Sequence, residues 1–251
     1  MQHNAFAPPA RQNNLRVALV FPNTAYVGMS NLGFHIVFQL FSALPNITCD
    51  RIFLPDKDTG AQGARSRKGH GPVKSKNQLH KYDLIAFSLS YENDYPNILT
   101  LLDQSGIPVR ADERSGGYPL VIAGGITVFL NPEPLAEIFD LFIMGEAEEI
   151  LPEFVKRLCS IRNAAKHSKP DAALFREIAG IYVPSGYQNT ISTAGHLTGR
   201  ITASGFPPIA TSRKIVDINT TTAMSELLPA QTEFSGMHLV EVSRGCPRGC
   251  R

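Results

Sequence analysis

Two cysteines, Cys246 and Cys250, stand four apart in the string VEVSRGCPRGCR, beside Gly245 and Gly249 and flanked by Arg244, Arg248 and Arg251. A cysteine binds metal as its thiolate, and nearby guanidinium groups and free backbone amides stabilise that anion. Glycines let the backbone wrap closely around what the sulfurs hold. These residue types favour coordination of a soft metal or an iron–sulfur centre. Taken alone, the C-x-x-x-C pair also fits an incidental pair, or a zinc site shared between two chains. The other two cysteines, Cys49 and Cys159, are too few and too scattered for a disulfide framework and fit ordinary packing.

A strand has to deliver such a loop, and residues 237–242 (MHLVEV) alternate and end in a Ser-Arg-Gly turn, so they are predicted to be that strand. Upstream, short continuous apolar runs at residues 16–21, 47–54, 84–89, 120–123 and 141–144 read as buried strands. Helical spacing separates several of them: Phe34, Val37, Phe38, Phe41 and Leu44, then residues 98–102, 135–139 and 150–158. This alternation predicts an α/β fold, a doubly wound parallel five-stranded sheet of flavodoxin-like or Rossmann-like kind, over residues 15–160. Residues 1–14 lack apolar periodicity and read as a flexible arm. Residues 161–236, rich in Thr, Ser, Gly and Pro, read as an irregular linker with a short helix at 172–178 and a strand at 181–183. Residues 237–251 then open a further unit, and a string that stops inside a loop is expected to be a fragment.

In doubly wound sheets, ligands sit beyond the carboxyl ends of the strands. The loops there carry Ser88, Gly124, Gly125, Gly145 and Glu146, which are the candidate cofactor-binding residues. Glycine allows backbone amides to approach a ligand, and the hydroxyl and carboxylate offer hydrogen bonds. Each has a plainer role as well. Gly124 and Gly125 fit a tight turn, Glu146 in GEAEE complements a helix dipole, and Ser88, Ser90 and Tyr91 can satisfy loop backbone.

The 24 Lys and Arg nearly balance the 22 Asp and Glu, so overall charge points to no nucleic-acid coat. Charge is instead local. Residues 57–81 hold seven bases against one acid, but no aromatic residue is interleaved with them, so a solvated insertion is expected rather than a nucleic-acid contact. Residues 131–153 hold seven acids and no base, which lets opposite charges on separate loops meet within the chain or at an interface. No apolar run reaches the roughly 18 residues of a membrane span, and the first residues form no signal core, so a cytoplasmic protein without a membrane partner is expected.

The string LVEVSRGCPRGCR resembles the strand and cluster loop that open the catalytic barrel of radical S-adenosylmethionine (SAM) enzymes, whose signature is C-x-x-x-C-x-x-C. Cys246 and Cys250 match its first two cysteines, and the third would fall at position 253, past the last residue. RVALVFPNTAYVGMSNLGFHIV, DLIAFSLSYENDYPNILTLLDQSGIPV, VIAGGITVFLNPEPLAEIFDLFIMGEAEEILPEF and IAGIYVPSGY together resemble the N-terminal cobalamin-binding-like domain that precedes the barrel in a subset of these proteins. The resemblance implies that Cys246 and Cys250 ligate a 4Fe-4S cluster in the intact parent, with SAM on the fourth iron as the source of a 5'-deoxyadenosyl radical. It implies the barrel as partner and an unread substrate. With two of three ligands, this chain is itself expected to be non-catalytic. Histidine-ligating cobalamin domains carry D-x-H-x-x-G, and this sequence has no match: His35 has Gly33, not Asp, two residues before it, and reads as a structural helix residue. Cobalamin bound without a histidine ligand and a domain binding no corrin both stay open. The alternative function is a non-catalytic module that holds cobalamin, flavin or nucleotide, or packs on a partner protein.

Overall fold

The computed structural model describes residues 14–55, 70–72, 79–164, 169–215, 217–221, 223–226 and 232–245. Its centre is a sheet of seven strands: β1 (Leu15–Thr24), β2 (Ile47–Leu54), β3 (His70–Pro72), β4 (Leu84–Ser88), β5 (Leu120–Gly124), β6 (Leu141–Ile143) and β7 (Ile181–Tyr182). They lie in the order β3-β2-β1-β4-β5-β6-β7. All neighbours pair parallel except β6 with β7, which is antiparallel. Strand order reverses between β1 and β4, where Val17 of β1 faces Cys49 on one side and Leu84 on the other.

The predicted doubly wound sheet is present, and the burial explains why its strands read as unbroken apolar runs. Leu15, Val17, Leu19 and Phe21 enter one core and Ala18 and Val20 the other, so β1 is dry on both faces. Two helices, α2 (Leu32–Ala43) and α5 (Ala147–Ala164), supply Phe34, Phe41, Ile150, Phe154 and Leu158 to the first core. The second core takes Ile98, Leu101 and Leu102 from α3 (Tyr95–Gln104). Short helices α1 (Ala25–Gly28) and α4 (Ile126–Leu130) follow β1 and β5 directly. Among the described residues no helix is long and apolar enough to cross a membrane.

Beyond the five strands predicted for the sheet domain, β3 lies within the basic segment, where three residues are too short to show a period, and β7 is the strand expected at 181–183 in the stretch read as linker, here joined to the sheet as its antiparallel edge. The helix expected over 135–139 is a 3-10 turn at Glu133–Leu135, because Pro134 donates no amide and Pro132 precedes it. Leu135 and Phe139 are nevertheless buried. The helix expected over 172–178 is likewise a 3-10 turn, Ala172–Phe175. A hairpin, β8 (Tyr187–Ile191) with β9 (Leu197–Thr202), follows β7.

The strand predicted over 237–242 is not a member of a sheet among the described residues. It makes one isolated antiparallel bridge, Val240 with Met224, through hydrogen bonds between Ser225 N and Leu239 O and between Glu241 N and Ala223 O, each 2.9 Å. Among the described residues its partner is the segment 223–226, and Val242 is 93% exposed.

The amino ends of β5 and β6 are pinned away from the ligand edge by a buried ionic group. Asp140 accepts hydrogen bonds from Val121 N at 2.8 Å and Lys169 Nζ at 2.7 Å and pairs with Arg114 at 3.4 Å. Arg114 also donates to the carbonyls of Pro108, Val109 and Ile138, so the buried charges are paired and hydrogen-bonded together.

Candidate functional site

The carboxyl edge at the β1/β4 reversal is a polar seam. Asn23, at the end of β1, donates to Asp94 Oδ1 at 2.7 Å, and Asn97 on α3 donates to Pro22 O at 2.8 Å. Asn31 caps α2 by accepting from Phe34 N and, through its Nδ2, reaches Ser90 Oγ at 3.0 Å. Asp94 is 3% exposed, and among the described residues its Oδ2 has no hydrogen-bond partner. Burial raises its pKa, favouring the neutral acid that needs less solvation. Sequence reasoning missed Asp94; its only signal was a carboxylate six residues after a strand end at the switch point.

The predicted ligand residues fall along this edge in distinct settings. Ser88 pairs in register with Gly124, both half-buried, and Leu89 N donates to Gly124 O at 2.8 Å. Gly125 has φ 112°, and a Cβ there would stand 2.3 Å from Leu89 O. Gly145 has φ 128°, and its Cβ would stand 2.0 Å from Arg213 O. Both glycines therefore let the chain's own backbone approach closely. At Gly145 that approach is a parallel bridge, with Arg213 N donating to Met144 O and Glu146 N to Arg213 O.

Glu146 and its neighbours grip two arginines. Arg213 donates to Glu153 at 2.8 Å and lies 3.6 Å from Glu149. Arg244 donates through Nη1 to Glu146, through Nη2 to Glu148 at 3.0 Å, and through Nε and Nη2 to both oxygens of Glu241 at 2.9 and 2.7 Å. These carboxylates, Glu241 foremost, hold the Arg244 guanidinium well above its ordinary pKa. Glu148 and Glu149 occupy the first turn of α5, where the helix dipole also favours negative charge. The acidic stretch thus meets bases within the chain, 98 residues away in the Glu146–Arg244 pair.

The segment leading to Arg244 is fastened on the α1–α2 side as well. Tyr26 Oη donates to Glu233, Glu233 N to Ser30 Oγ at 3.1 Å, and Gln39 Nε2 to Met224 O at 3.1 Å. Toward β4 and β5 the same edge stays apolar and open, with Tyr91, Ile126, Phe129 and Leu130 between 43% and 68% exposed. A groove of about 530 Å³ lies further along, beside β7, between residues 176–181 and 205–211.

His35 is 2% exposed and its Nε2 lies 2.9 Å from Met29 O. A carbonyl only accepts, so Nε2 carries the proton. Burial lowers the ring's pKa, the hydrogen bond to Met29 opposes that, and Arg51 adds to the lowering. Arg51, also buried, sits 4.3 Å from the Phe38 ring centroid and 3.5 Å from Met29 Sδ. Its burial brings its pKa down to about 10, so it stays cationic at neutral pH. His35 is a structural residue of the helix interior, more deeply buried than its helical position alone foretold. Cys49 and Cys159 are free thiols whose pKa burial raises, which suits packing rather than ligation. Cys246 and Cys250 lie outside the described residues.

The family described as radical SAM proteins, N-terminal, matches residues 33–184. An uncharacterized protein of Methanocaldococcus jannaschii is 22% identical over 237 residues, covering 94% of this chain and 40% of that protein. The chain thus spans well under half the length of this relative. Among solved structures, the cobalamin-dependent S-adenosylmethionine radical enzyme OxsB with aqua-cobalamin bound aligns with 76% of this chain and 22% of its own, at 12% identity and a TM-score of 0.37.

Proposed function

Because the chain belongs to the family of N-terminal domains of radical SAM proteins, we propose that it serves a radical SAM enzyme whose cluster is ligated in part by Cys246 and Cys250. The observation that carries the reading is the combination of the family match over residues 33–184 with the C-x-x-x-C pair 62 positions beyond it, counted from 184 to 246. Two thiolates in a Gly- and Arg-rich loop have the donor chemistry of an iron–sulfur ligand set. A 4Fe-4S cluster held there would, once reduced, supply the one electron that breaks the S–C5' bond of SAM into methionine and a 5'-deoxyadenosyl radical.

The chain's own residues are assigned the supporting work. The sheet supplies a rigid edge, and Arg244, Glu146 and Glu148 fasten the segment that leads to Cys246 onto it. The catalytic barrel of the same protein is the proposed partner, and its substrate is unassigned. Cobalamin also belongs to the proposal in a restricted form. The edge near β4 and β5 exposes Tyr91, Ile126 and Phe129, which suit the apolar face of a corrin, whereas His35 is buried and bonded to Met29. A corrin at this edge therefore takes no histidine ligand from α2.

The test is anaerobic reconstitution of the full-length protein with iron and sulfide, followed by iron analysis and electron paramagnetic resonance of the reduced sample. The expected result is a 4Fe-4S cluster that Cys246→Ala and Cys250→Ala each abolish. Iron uptake indifferent to both cysteines contradicts the assignment.

A further inference from the structure

We propose that Arg244 is a positioning residue for the cysteine loop, acting through its grip on Glu146, Glu148 and Glu241 and not as a cation that stabilises the Cys246 thiolate; this rests on the cysteines being cluster ligands. Sequence alone favours the second role, since Arg244 stands two residues before Cys246. The structure surrounds its guanidinium with three carboxylates, all bonded to it, so the local sum of charge is negative. A cation compensated in this way has little field left for a neighbouring sulfur. What the arrangement provides is location.

Two of the three acids belong to the carboxyl edge, one in the loop after β6 and one in the first turn of α5. The third, Glu241, belongs to the incoming segment itself, so Arg244 staples that segment to the edge. The segment has a second fastening just upstream: Leu239 N donates to Ser225 Oγ at 2.9 Å, and the His238 ring, through Nδ1, to Ser225 O at 2.7 Å. Ser225 is itself 1% exposed. The approach to the loop is thus fixed at residues 238–241 and again at 244.

Gly245 then sets direction. Its φ is 88°, and among the described residues nothing lies within 4 Å of where a Cβ would stand, so no described neighbour calls for glycine there. The left-handed backbone does. Successive Cα atoms are about 3.8 Å apart, which keeps the Cys246 Cα within about 7.6 Å of that of Arg244. A staple followed at once by a turn fixes, at the sheet edge, the end of the chain from which the cysteine loop departs.

The experiment uses the full-length protein carrying Arg244→Gln, Arg244→Lys or the pair Glu146→Gln with Glu148→Gln. The Glu pair leaves the Arg244 charge in place and removes its two anchors on the sheet edge together with their negative charge, so a purely electrostatic effect would run opposite in sense to that of Arg244→Gln. Two readouts are taken: hydrogen exchange of amides 238–245 without iron, with exchange in β1 and β4 as the check that the fold is intact, and the paramagnetic resonance of the reduced cluster before and after SAM is added. Arg244→Gln and the Glu pair are both expected to speed exchange across 238–245 by about tenfold and to alter the cluster signal and its response to SAM in the same sense. Arg244→Lys is expected to recover part of both. A Glu pair that leaves the cluster signal unchanged while Arg244→Gln shifts it makes Arg244 a charge and overturns the proposal. A wild-type protein with protected 238–245 amides but no cysteine-dependent cluster overturns the ligand reading, and the inference falls with it.

Discussion

Residue by residue, the sequence disclosed chemical types and concealed partnerships. Cys246, Cys250 and Glu146 stand out by type and setting, but the partner of Glu146 is an arginine 98 residues on, and no local pattern carries that distance. Asp94 was illegible for a related reason: only burial at the β1/β4 seam makes an ordinary carboxyl unusual. His35 could be dismissed as a cobalt ligand from its neighbours, yet its burial against Met29 and Arg51 took the fold to show. That burial has a pH consequence. The folded state lowers the pKa of His35, so the stability tied to its neutral ring is complete above the unfolded value near 6.5 and is lost as pH falls through the folded value. Each unit of lowering is worth roughly 1.4 kcal/mol. His35→Gln keeps an N–H donor for Met29 and removes the titration, so urea melts at pH 7 and pH 5 should differ less for it than for the wild type. Parallel losses in the two proteins would assign the acid sensitivity elsewhere.

Among elements, length and burial decided what could be read. Of the five predicted strands, β1, β4, β5 and β6 are dry on both faces or nearly so, and their continuous apolar runs stand out, while β2 is buried only at residues 51–53. β3, three residues inside the basic segment, is too short to show a period, β7 was read as a strand but not as a member of the sheet, and the proline pair at 132 and 134 turned an expected helix into a 3-10 turn. The glycines at strand ends were recognised as special positions, while what crowds them was not visible. Gly125 and Gly145 face Leu89 and Arg213 backbone, and Gly245 meets no described residue within 4 Å of a Cβ position. Gly145→Ala must therefore move the Arg213 backbone as well as strain φ, at a cost of about 3 kcal/mol or more. Gly245→Ala meets only the left-handed penalty of about 1 to 2 kcal/mol. Urea denaturation of the two variants should separate them in that order. Equal costs would mean that the contact of Gly145 with residue 213 carries no energy.

For the whole molecule, the fold class was legible and its assembly was not. Alternating strands and helices imply a doubly wound sheet, but the order β3-β2-β1-β4-β5-β6-β7 is set by which strands pair, a matter of long-range contact that periodicity does not encode. The stretch read as linker contributes an edge strand, a hairpin and a segment, 211–213, that returns to the carboxyl edge, as does 239–244 beyond it, the two being held there by Arg213 and Arg244. That return joins the family's sheet domain to the cysteine pair: the acids after β6 hold the segment from which Cys246 and Cys250 extend. The most direct test of this account is reductive cleavage of SAM by the full-length protein, reconstituted and reduced under anaerobic conditions. Formation of 5'-deoxyadenosine and methionine by the wild type, and by neither Cys246→Ala nor Cys250→Ala, is the predicted result; a cluster-loaded, reduced wild type that leaves SAM intact, or cysteine variants that cleave it equally well, would contradict it.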